Sequence, residues 1–210
     1  MMKKALFHLT VFIAFFTSHS LHAQELEVYY GALGVGAYSV SYTETRPTGK
    51  IDITNSVRPA GFIKAGADAQ FWGVELRLGL AGNGSKSFPA GTIGSATPFS
   101  IDVQASPFFS YLGKVQYPFN DELKAYILLG GTMANFSITP AGNPVLFSTS
   151  AIKTGFTYGI GAAYKPSPDF SVDIEWIQYW TGVAMVVSAA GSSKASFGGF
   201  GMSVSKSFDF

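Results

Sequence analysis

Between Phe71 and Leu80 the chain reads FWGVELRLGL, and its side chains alternate in character. Trp72, Val74, Leu76, Leu78 and Leu80 share one parity, while Glu75 and Arg77 share the other. Successive side chains of a strand project to opposite faces. The segment is therefore a strand with one apolar side and one ionic side, and its two faces need different surroundings.

The same period of two recurs along the chain. In 100–119 the odd positions carry Ile101, Val103, Ala105, Phe109, Tyr111, Val115 and Tyr117, against Asp102, Gln104, Ser110, Lys114 and Gln116. In 152–165 the even face carries Ile152, Phe156, Tyr158, Ile160, Ala162 and Tyr164. In 170–180 Val172, Ile174, Trp176 and Trp180 oppose Asp173 and Glu175. In 196–210 Phe200, Met202, Val204, Phe208 and Phe210 oppose serines and Asp209. Ala60–Ala69 sets Ile63, Ala65 and Ala67 against Lys64 and Asp68. Two further segments are less clean. In 27–42 Val28, Tyr30, Tyr38 and Tyr42 are expected to face outward, and in 123–136 the odd face is.

Eight strands result. Short joints are expected at 69–71, 118–122 and 165–169, where Pro, Asn and Asp favour tight turns. Long joints are expected at 43–57, 82–99, 139–151 and 183–195. Two architectures use eight antiparallel strands of this kind: a soluble barrel with its apolar face inside, and a membrane barrel with the reverse. Charged residues are only 13% of the chain, against about 25% in ordinary soluble domains. Aromatic residues cluster on the apolar faces at Trp72, Tyr111, Tyr117, Tyr164, Trp176 and Trp180, as interfacial girdles do. Both charge signs occupy the opposite faces. The pattern predicts an all-β fold, an eight-stranded antiparallel transmembrane β-barrel with up-and-down meander topology. Closure pairs the first strand with the last and leaves no edge in hydrocarbon.

Residues 1–23 have the three parts of a secretory signal peptide: Lys3 and Lys4, an apolar core over 5–16, and a polar stretch ending at Ala23. Residues 24–210 then form the barrel domain. Losing Lys3 and Lys4 from 14 basic residues leaves 12 against 13 acidic ones, a formal charge of −1. Nucleic-acid binding finds no support in that charge, since no basic cluster exists. His8, His19 and His22 all lie in the leader, and the chain has no cysteine. A Ser-His-Asp triad and His- or Cys-based metal sites are thereby excluded from the mature chain, and no cofactor is expected.

Over its mature length the chain resembles the small eight-stranded outer-membrane barrels of Gram-negative bacteria, the OmpA/OmpX/opacity-protein-like superfamily. The resemblance lies in VYYGALGVGAY (28–38), YLGKVQYPFNDELKAYILLGG (111–131), GFTYGIGAAYKPSPDFSVDIEW (155–176) and the terminal Phe. It implies a location in the bacterial outer membrane. It also implies contact with outer-membrane lipid and lipopolysaccharide, and insertion by the barrel-assembly machinery, with Phe208 and Phe210 as the terminal assembly signal. Ser205 stands where that signal commonly has glycine, and Lys206 falls on the lipid face.

Eight strands enclose an interior that side chains just fill. Lys64, Glu75, Arg77, Asp173 and Glu175 are accordingly expected to pair in the lumen, because a buried charge without a partner is costly. Asp173 and Glu175 read as lumen lining rather than as acid–base catalysts. Val183, Met185, Val186 and Val187 form an apolar stretch expected in an outer loop, a candidate contact surface for an extracellular partner. The expected role is a non-enzymatic structural or interaction protein of adhesion or envelope-integrity type. The alternatives are a low-conductance pore or a path for small hydrophobic solutes and, more remotely, a lipid-modifying enzyme.

Overall fold

The computed structural model describes residues 28–142 and 148–208, apart from the side chains of 54–56. The expected leader, residues 24–27 and Phe210 lie outside the described residues. Among the described residues nine strands follow one another: β1 (Val28–Arg46), β2 (Gly49–Asp68), β3 (Trp72–Ala81), β4 (Gly84–Phe88), β5 (Phe99–Pro118), β6 (Leu123–Ala141), β7 (Thr149–Ser167), β8 (Phe170–Ser188) and β9 (Gly191–Phe208). A short 3-10 turn, Thr92–Gly94, lies between β4 and β5.

All ladders are antiparallel. β1 pairs with both β2 and β9, and β3 pairs with β5, so eight strands close into a ring. β4 pairs with the outer part of β5. Most staves run 18–20 residues, about twice the 9–11 that a tilted strand needs to span a bilayer. The surplus extends the wall at the end opposite the short turns.

This surplus corrects the expected loops. Segments 43–57 and 183–195 are strand hairpins closed by two-residue turns, at 47–48 and 189–190. Gly49 (φ 145°) and Gly191 (φ 142°) restart the chain after each turn in a conformation that disfavours side chains. A Cβ on Gly191 would stand 2.4 Å from the Thr45 carbonyl oxygen. At the other end the turns are tight, as expected. Ala69 N–H donates to the Trp72 carbonyl (2.8 Å), and the Asn120 side chain accepts from the N–H groups of Glu122 and Leu123.

The wall has two polarities. Near the short turns apolar side chains face out and charges face in: Leu76, Ile160 and Ile174 are exposed, while Glu75 and Glu175 are buried. Further up the order reverses. Tyr42, Ile53, Ile101, Val103, Phe136, Ile138 and Ala195 are buried, with Asp52, Asp102, Asn135 and Lys194 outside.

Two devices make the switch. β6 and β9 keep their parity while their composition changes. β5 changes parity at a bulge between Ala105 and Phe108, where Pro107 has no N–H to offer the ladder. The odd positions of β5 are apolar throughout, yet Ile101–Ala105 face in and Tyr111–Tyr117 face out. β1–β2 and β8–β9 also shift register, at Val40/Tyr42 and between Gln178 and Val186. The β7–β8 ladder reaches only as far up as Tyr158 and Gln178.

Candidate functional site

The interior is stacked in layers, starting with ions near the short turns. Lys64 and Arg77 are opposite one another on β2 and β3. The Arg77 guanidinium donates to Glu75 through Nε and grips both oxygens of Glu175 through Nη1 and Nη2, the latter at 2.8 Å. This fork geometry is what arginine offers carboxylates. Lys64 Nζ lies 3.1 Å from Asp173 and 3.7 Å from both Glu75 and Glu175. Neutral donors complete the carboxylates: Tyr30 donates to Glu75 (2.7 Å), Tyr126 to Glu175 (3.2 Å), and Ser203 and Ser205 to Asp173. Below them, Lys114 and Lys124 converge on Asp68. Such pairing is required because each ion alone in this interior would carry a penalty of several kcal/mol.

Next comes a belt of hydroxyls. Ser110, Thr132 and Thr157 are linked at 2.7 Å each, and Thr157 donates to the Tyr179 carbonyl at 3.1 Å. Above it lies an aromatic layer of Tyr38, Phe62, Phe108, Tyr179 and Phe197. Ring centroids of contacting pairs are 4.9–6.2 Å apart, within the range where edge and offset contacts are favourable. The Tyr38 and Tyr179 hydroxyls meet at 3.1 Å, and Arg77 stacks 5.6 Å from the Phe62 ring, joining the two layers. Gly34 makes room, since a Cβ there would stand 2.3 Å from the Phe62 ring. Trp180 and Phe136 continue the packing upward, with the indole N–H donating to the Thr132 carbonyl (2.9 Å).

The five ions singled out in the sequence (Lys64, Glu75, Arg77, Asp173 and Glu175) thus meet in one network. Tyr30, Lys114, Asp68 and Tyr126 enlarge it. Tyr30, Tyr38 and Tyr42 correct the outward assignment. They point inward because their hydroxyls have buried partners: Glu75, Tyr179 and Glu44 respectively. Asp102 is exposed rather than luminal, because the β5 bulge turns its face outward.

Trp72, Tyr117 and Tyr164 are exposed at the short-turn end. Tyr111 is exposed in mid-wall, across the ladder from Gly131, and Trp176 packs edge-on against Tyr158. Trp180 does not belong to a girdle. It is 0% exposed, because the register shifts around it rotate it into the bore. Val183, Met185, Val186 and Val187 lie in β8 rather than in a loop. Met185 faces the outer core and is buried, Val183 packs over Gly155, and Val187 is exposed. Phe208 is exposed near Gly31.

A closed ring of strands with apolar side chains outside and paired ions inside defines a transmembrane β-barrel protein. Residues 8–208 match the outer membrane protein beta-barrel domain family. The chain belongs to that family, and its place is the bacterial outer membrane. No curated protein matches it. Among solved structures it is similar to Ail, the attachment invasion locus protein of Yersinia pestis, in complex with the heparin analogue sucrose octasulfate. The identity is 16%, over 86% of this chain and 99% of that one, with a TM-score of 0.44. It is similar to Neisserial surface protein A at 12% identity, over 86% and 97%, with a TM-score of 0.46. It is also similar to the N-terminal barrel of Pseudomonas aeruginosa OprF at 10% identity, over 84% and 97%, with a TM-score of 0.44.

Proposed function

We propose that this protein is a closed, non-conducting barrel serving the envelope as a structural and interaction protein, and that its outer half presents the contact surface. The supporting observation is the sealed bore. Tyr38, Phe108, Tyr179 and Phe197 pack ring on ring at 0–1% exposure, above the hydroxyl belt and the ionic network around Arg77. A water-filled path would need those buried, mutually contacting rings to part.

The water-facing half carries Lys50, Lys86 and Lys194 on its outside with Asp52 and Asp102, suited to the phosphates of surrounding lipopolysaccharide. In the upper parts of β7 and β8, Ile152 and Val187 are 75% and 78% exposed. They are the apolar part of the surface offered to an extracellular partner. Residues 1–23 serve as the export leader, and Phe208 and Phe210 as the assembly signal. No chemical step is assigned to the barrel.

Planar-bilayer recording tests the closed bore. Purified protein is expected to give no unitary current steps, and reproducible steps would contradict the reading. A paired Ile152→Asp/Val187→Asp variant should keep its fold and lose cell or matrix adherence. Unchanged adherence would remove this surface from the account.

A further inference from the structure

At the short-turn end, which faces the periplasm in barrels of this kind, the interior opens into a vestibule of about 640 Å³. Lys114, Lys124 and Lys165 line it, with Asp68, Gln116 and Ser171. Charge is unevenly divided above and below. Around Arg77, two cations, Arg77 and Lys64, face three carboxylates, Glu75, Asp173 and Glu175. At the vestibule wall, two ammonium groups share one carboxylate: Lys114 is 2.5 Å and Lys124 2.7 Å from the two oxygens of Asp68. The network is neutral as a whole but leaves one positive charge at the vestibule and one negative charge above it.

Lys165 adds a cation with no ion-pair partner among the described residues. The acids that also line the opening do not cancel this excess. Asp173 is occupied by Lys64, Ser203 and Ser205. Asp121 and Glu122 are exposed on the β5–β6 turn, where water damps their field. Lys114 is buried, and the same charge acts there through a lower effective dielectric.

We infer that this vestibule is an anion-binding site taking one carboxylate or phosphate group, held by Lys114, Lys124 and Lys165. The closed layers above make it a dead-end pocket rather than the entrance to a path. Two sources supply that chemistry: a small periplasmic solute, or Glu25 and Glu27 of this chain, three residues and one residue before the lining residue Val28.

The test uses protein extracted from outer membranes into zwitterionic micelles, titrated with inorganic phosphate and followed by NMR at Lys114, Lys124 and Ser171. Saturable shifts confined to these positions are expected. Lys165→Gln should weaken binding about threefold, the scale of one partly exposed charge. Asp68→Asn should tighten it, because it removes the shared counter-charge. A purely structural role for this layer predicts no such opposite response. If Asp68→Asn does not fold, weakening by Lys165→Gln and by added salt carries the test. Stronger phosphate binding in Glu25→Gln/Glu27→Gln assigns the natural occupant to the chain's own tail. Unchanged binding assigns it to a free solute. Non-saturable shifts, or no effect of Lys165→Gln, would overturn the site.

Discussion

The lower and upper halves of this barrel share seven staves, with β3 below and β4 beside β5 above, yet they solve opposite problems. The lower half puts Leu76, Ile160 and Ile174 outside and Glu75, Arg77 and Glu175 inside. The upper half puts Ile101, Val103, Phe136 and Ile138 inside, with Asp102 and Asn135 outside. Hydrocarbon surrounds the first and water the second. The same long strands therefore pass through two solvents, and their side chains exchange faces where the solvent changes.

That contrast predicts effects of graded size. The largest follows from Arg77→Ala, which strands Glu75 and Glu175 in the bore. Breaking a buried pair of this kind costs about 3–5 kcal/mol, measurable as a lower urea midpoint for unfolding from lipid vesicles. A change confined to a few tenths would mean that Arg77 is not paired and inward.

Next is a charge on the outer wall. Ile174→Arg in the lower half should cost about 2–4 kcal/mol, the range for a basic residue facing mid-bilayer lipid. Asp102→Arg, at an exposed position in the upper half, should stay within about 0.5 kcal/mol. Equal costs for the two would erase the distinction between the halves.

The smallest effect belongs to Asp52, on the outside of the upper hairpin. Hydrogen bonds from Lys50 and Thr43 hold its carboxyl below the usual carboxylate range. A carboxyl depressed in the folded state stabilises at pH values above its unfolded pKa of about 3.9, and that contribution fades as pH falls through the folded value. Water screens the group, so wild type should exceed Asp52→Asn only slightly at neutral pH. The two should converge in acid. A difference that persists in acid would assign the effect to something other than this ionisation.

Much of the lower half is legible in the sequence. FWGVELRLGL keeps one parity without interruption, so its outward and inward faces can be read directly. The five central ions follow from the same logic, since mixed charges on inward faces of a narrow ring must meet. The upper half is harder for physical reasons. In β5 the odd positions stay apolar from Ile101 to Tyr117, and only the bulge beside Pro107 divides them between core and lipid. A Pro within an otherwise regular strand was the available signal.

Trp180 reads as the next member of the Ile174–Trp176 face. Register shifts that leave no mark in the alternation carry it into the bore. Tyr30, Tyr38 and Tyr42 were ambiguous because glycine and alanine occupy both faces around them, and a tyrosine suits an interface or a buried carboxylate equally well. The outer hairpins read as loops because their Ser-, Thr- and Gly-rich composition suits a turn as readily as a water-facing strand.

The exchange of faces is tested most directly by depth-resolved spin labelling. The chain has no cysteine, so single cysteines can be placed at Ile174, Glu175, Val103 and Asp102 without background. In vesicles, the label at 174 should be relaxed by oxygen from the bilayer and the label at 102 by a water-soluble nickel chelate, with 175 and 103 shielded from both. Oxygen relaxation at 102, or oxygen relaxation at 175 in place of 174, would contradict the account.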